Sequence, residues 1–90
     1  VHLGAPRPNP FHAATRFQVS SPAGVPLRVS VYDLSGRRIR DLEPSGGDGT
    51  AATVTWDGRD TDGRRVASGM YFVRARAGEW TAGRRVVVTH

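Results

Sequence analysis

The chain of 90 residues is long enough for one domain with a single modest core, and it is too short for two. It has no cysteine, which excludes a disulfide framework and a cysteine-ligated zinc site. No apolar run approaches the roughly 18 residues of a membrane-spanning helix. The net charge of +5 comes from 13 arginines, with no lysine, against eight carboxylates. Because phosphate binding gives no reason to exclude lysine, the arginines indicate a compositional bias, and binding of nucleic acid or another polyanion is the weaker alternative.

The first twelve residues are rich in proline. Pro6, Pro8 and Pro10 alternate with other residues in GAPRPNPF. Proline favours extended backbone and donates no hydrogen bond to a sheet. We therefore expect residues 1–12 to form an extended N-terminal segment or linker, and residues 13–90 to form the domain.

Strand patterns follow one another through the remainder of the chain. Residues with β-branched or aromatic side chains alternate with polar ones, and no window has helical spacing without a glycine or proline interruption. The segments are RFQVS, PLRVSVYDL, RRIRDL, ATVTW, MYFVRARA and WTAGRRVVVT. This pattern is typical of an all-β sandwich of about seven strands.

The alternation also assigns side chains to the two faces of each strand. In PLRVSVYDL, Val29 and Val31 lie on one face, and Arg28, Ser30 and Tyr32 lie on the other. Applied to every segment, the same rule predicts a core. Its members are Phe17, Val19, Leu27, Val29, Val31, Ile39, Leu42, Val54, Trp56, Val66, Tyr71, Val73, Val86 and Val88.

Glycine positions predict the connections between strands. Ser35-Gly36 fits a two-residue loop, which would place Asp33 opposite Arg38 as an oppositely charged cross-strand pair. Gly78-Glu79 fits a second tight hairpin, because glycine in the first loop position suits a type II′ turn. The stretch 43–51 is expected to be an exposed and mobile loop.

The stretch WDGRDTDG, residues 56–63, allows two interpretations. A calcium loop needs oxygen ligands at alternate positions before a glycine, but the frame set by Asp60 and Asp62 places Gly58 at the first ligand position. Aspartates also form Asx turns, in which the carboxylate accepts backbone N–H groups, and Gly58 and Gly63 tolerate positive φ. A structural turn without a metal is therefore the prediction.

Catalytic patterns are not found. His2, His12 and His90 are far apart in the sequence, no serine lies in a G-x-S-x-G elbow, and no glycine pair matches a phosphate-binding fingerprint. The expectation is a chain without catalytic residues or a cofactor, which is not an enzyme.

Two motifs resemble a known family. VYDLSGR, at 31–37, is followed by W-D-G-x-D…G…V…S-G-x-Y, which ends at Tyr71. In this order they are similar to the immunoglobulin-like domain of the flagellar hook-capping protein family, and to the related C-terminal sorting domains of type IX secretion cargo. The resemblance extends from Pro8 to Thr89. It implies an immunoglobulin-like β-sandwich located outside a bacterial cell or on its surface.

Three functions fit these observations. The leading interpretation is a non-catalytic extracellular module for C-terminal sorting, spacing or surface attachment, with a protein partner or the secretion or surface machinery as its contact. A second is a self-assembling subunit of an extracellular filament or surface layer, joined through strand edges or a donated segment. The third is an arginine-dependent binder of polyanions or nucleic acid.

The sequence places the candidate contact residues near the last hairpin. The predicted outer face of MYFVRARA has an aromatic ring beside two cations, and the next strand adds another aromatic ring and another cation. These partner-contact residues are Phe72, Arg74, Arg76, Trp80 and Arg85. The N-terminal LGAPRPNPF segment is expected to contribute by lying along a groove.

Overall fold

The computed structural model describes residues 2–20, 26–44 and 51–89, in which every regular element is a β-strand. The strands are β1 (His2–Leu3), β2 (Thr15–Ser20), β3 (Leu27–Tyr32), β4 (Arg38–Leu42), β5 (Ala51–Trp56), β6 (Gly69–Ala77) and β7 (Trp80–Val88). They form one sheet in the order β1-β2-β5 and a second in the order β4-β3-β6-β7. All neighbouring strands are antiparallel.

This topology is that of an immunoglobulin-like sandwich. In such a sandwich, the strands called C, F and G share one sheet, and the strands called A, B and E lie in the other. The order β3-β6-β7 corresponds to C, F and G, and β4 extends that sheet as C′. Near the start of β6, the hydroxyl of Tyr71 donates a hydrogen bond to the carbonyl of Ala67 at 2.7 Å, which is the tyrosine corner of this fold. The predicted all-β immunoglobulin-like sandwich is therefore confirmed.

The core lies between the two sheets. In β6 every second residue is buried from Tyr71 to Ala77, as a strand with one covered face requires. All predicted core residues are buried except Leu27 and Ile39, which are half-buried and pack against the core. Leu27 begins its strand at the end of the sheet, and Ile39 lies at an irregularity in the pairing of β3 with β4.

The N-terminal segment packs against the sandwich along residues 2–11. Leu3 lies in β1, which is paired with β2. Leu3 and Phe11 are each only 2% exposed. The N–H of Phe11 donates to the carbonyl of Val87, and the carbonyl of Phe11 accepts the N–H of Thr89. The predicted core did not include Leu3 and Phe11, although both side chains belong to the observed core. The domain boundary between residues 12 and 13 stays a prediction.

The turn between β3 and β4 differs from the prediction. Arg38 is paired with Tyr32, so the expected pair of Asp33 with Arg38 is wrong. Instead, the carboxylate of Asp33 accepts hydrogen bonds from the hydroxyl and N–H of Ser35 and from the N–H of Arg37. The hydrogen bond from the Ser35 hydroxyl, followed by that from the Arg37 backbone, lowers the pKa of Asp33. The aspartate therefore caps its own loop.

The hairpin between β6 and β7 is as predicted. Ala77 is paired with Trp80, so Gly78 and Glu79 form a two-residue loop. Gly78 has a φ of 62°, while Glu79 does not have a positive φ, which is the combination of a type II′ turn. The predicted mobile loop at 43–51 lies largely outside the described residues.

Candidate functional site

The WDGRDTDG stretch forms a turn after β5 that is held by hydrogen bonds and an ion pair. The carboxylate of Asp57 accepts the N–H of Arg59 at 3.1 Å and forms an ion pair with the guanidinium of Arg40 at 2.7 Å. The indole N–H of Trp56 donates to the carbonyl of Arg59 at 3.0 Å. These contacts connect the turn to both the core and β4.

The second half of this turn is organised by Asp60. Its carboxylate accepts the N–H groups of Asp62 and Arg64, both at 3.0 Å. Gly58 has a φ of 74° and Gly63 a φ of 81°, the left-handed region that glycine adopts without strain. The predicted Asx turns are confirmed at Asp57 and Asp60.

Groups that hold metals or perform proton transfer are scattered. Among residues 2–20, 26–44 and 51–89, no three His, Cys, Asp or Glu side chains are grouped closely enough to hold a metal ion. His2 and His12 are both exposed, on β1 and just after Phe11 respectively. In the same part of the chain there is no helix long and apolar enough to cross a membrane.

The outer face of the four-stranded sheet has a different character. Because the core residues of β3, β6 and β7 point inward, the residues between them point away from the sandwich. We call this surface the arginine face. It comprises Arg28, Ser30, Tyr32, Met70, Phe72, Arg74, Arg76, Thr81, Gly83, Arg85 and Val87.

Strand pairing divides the arginine face into two ends. At the basic end, Arg28 of β3 lies directly opposite Arg76 of β6, and Arg74 follows two residues along the same strand. At the apolar end lie Phe72, which is 37% exposed, and Met70, which is 36% exposed. Both ends therefore share β6.

The basic end surrounds a shallow depression of about 370 Å³. The guanidinium carbon of Arg74 lies 5.4 Å from the centre of the Tyr32 ring, a cation–π contact that orients the charge across the sheet. The nearby carboxylate of Asp41 accepts the hydroxyl of Ser30 at 2.7 Å and lies 3.8 Å from Arg38. That carboxylate is therefore already engaged.

Four arginines of this face have no acidic partner among the described residues. Arg28, Arg74, Arg76 and Arg85 form no ion pair with a carboxylate of the described residues, whose ion pairs involve Arg38, Arg40 and Arg59 instead. The surface therefore presents positive charge that is not neutralised within the described part of the chain.

Other arginines hold segments of the fold together. The Arg65 guanidinium donates to the carbonyl of His12 at 2.7 Å, and that of Arg84 donates to the carbonyl of Leu3 at 2.9 Å. The Arg59 guanidinium donates to the carbonyl of Gly63 within the aspartate turn. The guanidinium groups of the arginine face donate no such hydrogen bond within the described residues.

The structure brings together most, though not all, of the predicted contact residues. Phe72, Arg74, Arg76 and Arg85 lie on the arginine face. Trp80 does not, because it is paired with the buried Ala77 and packs half-buried against the core.

Among the charged and aromatic members of this surface, sequence reasoning missed Arg28 and Tyr32. Alternation had placed both on one face of β3, but it gave no indication that β3 pairs with β6. The sequence therefore indicated that these side chains point outward, but it did not indicate which residues of the neighbouring strand lie beside them.

Comparisons with known proteins agree with this architecture. The sequence model of a family described as the FlgD Ig-like domain matches residues 11–80. The crystal structure of amylomaltase from Corynebacterium glutamicum is similar with a TM-score of 0.55 and 20% identity, over 92% of this chain and 13% of the amylomaltase. The ZIG-8–RIG-5 IG1–IG1 heterodimer gives a TM-score of 0.44 and 14% identity, over 98% of this chain and 90% of that chain. No curated protein sequence matches the chain. At such identities the likeness to the amylomaltase concerns the fold alone.

Proposed function

Because the chain belongs to the FlgD Ig-like domain family, we propose that it is a non-catalytic module of an extracellular bacterial protein. In this proposal it serves for C-terminal sorting, spacing or surface attachment, and it contacts a protein partner or the secretion or surface machinery. The tied aspartate turn and the scattered histidines favour a binding role over a chemical one. Because a fold alone does not fix a function, the proposal depends on a particular surface.

That surface is the arginine face. It combines an exposed aromatic ring, Phe72, with four arginines that lack acidic partners among the described residues. Apolar anchors beside arginine are typical of protein interfaces, in which the anchor supplies affinity and the charges supply specificity. The unpartnered arginine face is the observation that carries the proposal.

The test uses the complete parent protein in its own bacterium, with Phe72→Ser as the variant. Leu34→Ser is the matched control, because Leu34 is 66% exposed and lies in the turn between β3 and β4, not among the residues of the arginine face. Cell fractionation should show that Phe72→Ser lowers the surface-associated fraction severalfold with an unchanged melting temperature, while Leu34→Ser has no effect. Equal surface fractions for both variants and the wild type would overturn the proposal. Deletion of residues 1–8 is a poorer test, since it removes the buried Leu3.

Self-assembly is the second candidate, and the edge of β7 favours it. The N–H and C=O of Val87 point away from β6 and bond to the N-terminal segment. In an antiparallel strand, alternate residues point to the same side, so the backbone groups of Thr81 and Gly83 also face this edge. None of the backbone hydrogen bonds found outside the sheets involves these two residues within the described part of the chain. A strand edge of this kind can pair with a second copy.

The self-assembly candidate predicts oligomers that a proline disrupts. Gly83→Pro removes the N–H that faces the open edge, and proline is tolerated at such a position. Sedimentation velocity over a range of concentrations should show association of the wild type that Gly83→Pro abolishes. A wild type that stays monomeric at millimolar concentration would exclude this candidate.

A further inference from the structure

We infer that the arginine face binds an extended acidic segment of a partner polypeptide. Carboxylates two residues apart contact the basic end, formed by Arg28, Arg74 and Arg76, and a following apolar side chain packs on Phe72. This inference rests on the proposed function, because it names the chemistry of the partner that the arginine face contacts.

Charge complementarity identifies the acidic part of the partner. Like charges directly opposite each other on neighbouring strands are destabilising, and Arg28 and Arg76 form such a pair. Glu43 lines the depression at the basic end, but no described carboxylate forms an ion pair with either arginine. A carboxylate from outside the chain relieves this repulsion, and the planar guanidinium group can bind it through two parallel hydrogen bonds.

The spacing of the arginines indicates that the bound segment of the partner is extended. Arg74 and Arg76 are alternate residues of β6, so their positions are separated by about 6.8 Å along the strand, and Arg28 lies about 4.8 Å away across the sheet. Alternate side chains of an extended peptide have the same separation. Two acidic residues with one residue between them therefore match the basic end.

The apolar end distinguishes a polypeptide from a uniform polyanion. Phe72 and Met70 continue the same row of outward positions on β6, next to Val87 of β7. An acidic polysaccharide presents negative charge along its whole length and gains little from an apolar neighbour. The bases of a single-stranded nucleic acid stack on an aromatic ring such as Phe72, but they gain little from Met70 and Val87. An acidic peptide with an apolar residue after its carboxylates matches both ends. The row predicts the pattern acidic–x–acidic–x–apolar.

A second arginine pair provides an internal control. Arg7 and Arg16 are also directly opposite each other, where the N-terminal segment runs beside β2 of the three-stranded sheet, and both are exposed. Their neighbours are polar and uncharged, including Gln18 and Thr55. This pair shares the repulsion of the basic end but lacks the stacked tyrosine and the apolar row.

Fluorescence anisotropy tests the inference directly. The probe is a labelled peptide of sequence Thr-Glu-Thr-Glu-Thr-Leu-Thr-Val-Thr, titrated with the whole chain at low salt. The double variant Arg28→Gln and Arg76→Gln should weaken binding about tenfold or more, because it removes two charge-assisted contacts. The control double variant Arg7→Gln and Arg16→Gln, which has the same net charge, should leave affinity within about twofold of wild type.

Further measurements separate this inference from its alternatives. Phe72→Ser should weaken binding of the probe, but not of a version in which serine replaces leucine and valine. Equal losses in the two double variants, or no loss when glutamine replaces both glutamates, would overturn the inference. Single-stranded DNA that binds more tightly than the probe would instead establish a polyanion as the ligand, whether or not Phe72→Ser weakens it, because bases also stack on aromatic rings. If the peptide fails to bind while Phe72→Ser still alters surface association, the inference is wrong and the proposed function stands.

Discussion

The two outer faces of this sandwich are built on the same core but differ in chemistry. On the three-stranded sheet, the exposed pair of Arg7 and Arg16 has polar neighbours such as Gln18 and Thr53, and the Gln18 amide donates to the Thr53 hydroxyl at 3.4 Å. On the four-stranded sheet, arginines face outward beside Phe72 and Met70. Burial of the inner residues is satisfied equally in both sheets. The requirements of folding therefore do not explain why one outer face is basic and aromatic.

The arginines of the molecule show the same contrast. Arg65 and Arg84 each donate to a backbone carbonyl of the N-terminal part and thereby fix it in place. Arg40 neutralises Asp57 in the turn after β5. Arginines with such contacts support the fold, whereas Arg28 and Arg76 oppose each other with no contact of this kind. A compositional bias accounts for the number of arginines, but it does not account for this division of roles.

The largest expected loss of stability comes from a change in the core, which lies beneath both outer faces. Trp56→Ala should lower the free energy of unfolding by about 3–5 kcal/mol, because the ring is fully buried and packs edge-on against Phe11 and Tyr71. Urea denaturation measures this loss. A loss below about 1 kcal/mol would mean that the two sheets do not depend on a common core.

The next effect tests whether the N-terminal segment belongs to that core. Phe11→Ala should lower the free energy of unfolding by about 3 kcal/mol, since it removes a buried ring from its contact with Trp56. His2→Ala, in the same segment but with its side chain exposed, is the control and should lower it by less than about 0.5 kcal/mol. Equal stability of the two variants would show that residues 2–11 are only a linker.

A smaller loss of stability is expected from a change at Tyr71, which lies in the four-stranded sheet. Tyr71→Phe removes the hydrogen bond to Ala67 and should cost about 1 kcal/mol near neutral pH. Burial, followed by the negative charge of Asp33, raises the pKa of Tyr71. The stabilisation from the neutral phenol is therefore present below the unfolded pKa of about 10 and is lost as the pH rises through the folded value.

Urea midpoints measured on both sides of pH 10 test this pH dependence. The wild type should lose stability above about pH 10 relative to Tyr71→Phe, which has no group to titrate there. Parallel curves for the two proteins across this range would contradict the assigned environment of Tyr71.

The smallest effect is expected at the aspartate turn. The carboxylates of Asp57 and Asp60 are already occupied by N–H groups and by Arg40, so calcium should not change the melting temperature. A ligand present at about 100 times its dissociation constant would add about 2.7 kcal/mol. Melts with millimolar calcium and with a chelator should coincide. A rise with calcium that disappears in the double variant Asp60→Ala and Asp62→Ala would establish a metal site.

Sequence alternation predicted the strands and their buried faces because a sheet covered on one side imposes a period of two. Phe11 was missed for a physical reason. It stands alone among prolines, and its burial depends on Val87 and Trp56, which are distant in the sequence. The turn at Asp33 was placed one pair out of register, because its carboxylate binds loop N–H groups instead of a cross-strand arginine.

The candidate site was predictable in part. Alternation gave the outward residues of β6, including Phe72, Arg74 and Arg76. The opposition of Arg28 to Arg76 depends on which strands are neighbours, and local patterns do not contain that information. Trp80 was grouped with the contact residues because it follows the hairpin loop, but strand pairing turns its side chain toward the core.

The most direct test of the account is to locate peptide contacts by heteronuclear NMR. Titration of the isotope-labelled chain with the acidic probe peptide should shift signals of β3, β6 and β7, including the side-chain N–H of Arg74 and the ring of Tyr32. Signals of Arg16 and Gln18, on the opposite outer face, should stay in place. The largest shifts on β2 and β5, or equal shifts at every exposed arginine, would contradict the claim that the arginine face is the contact surface.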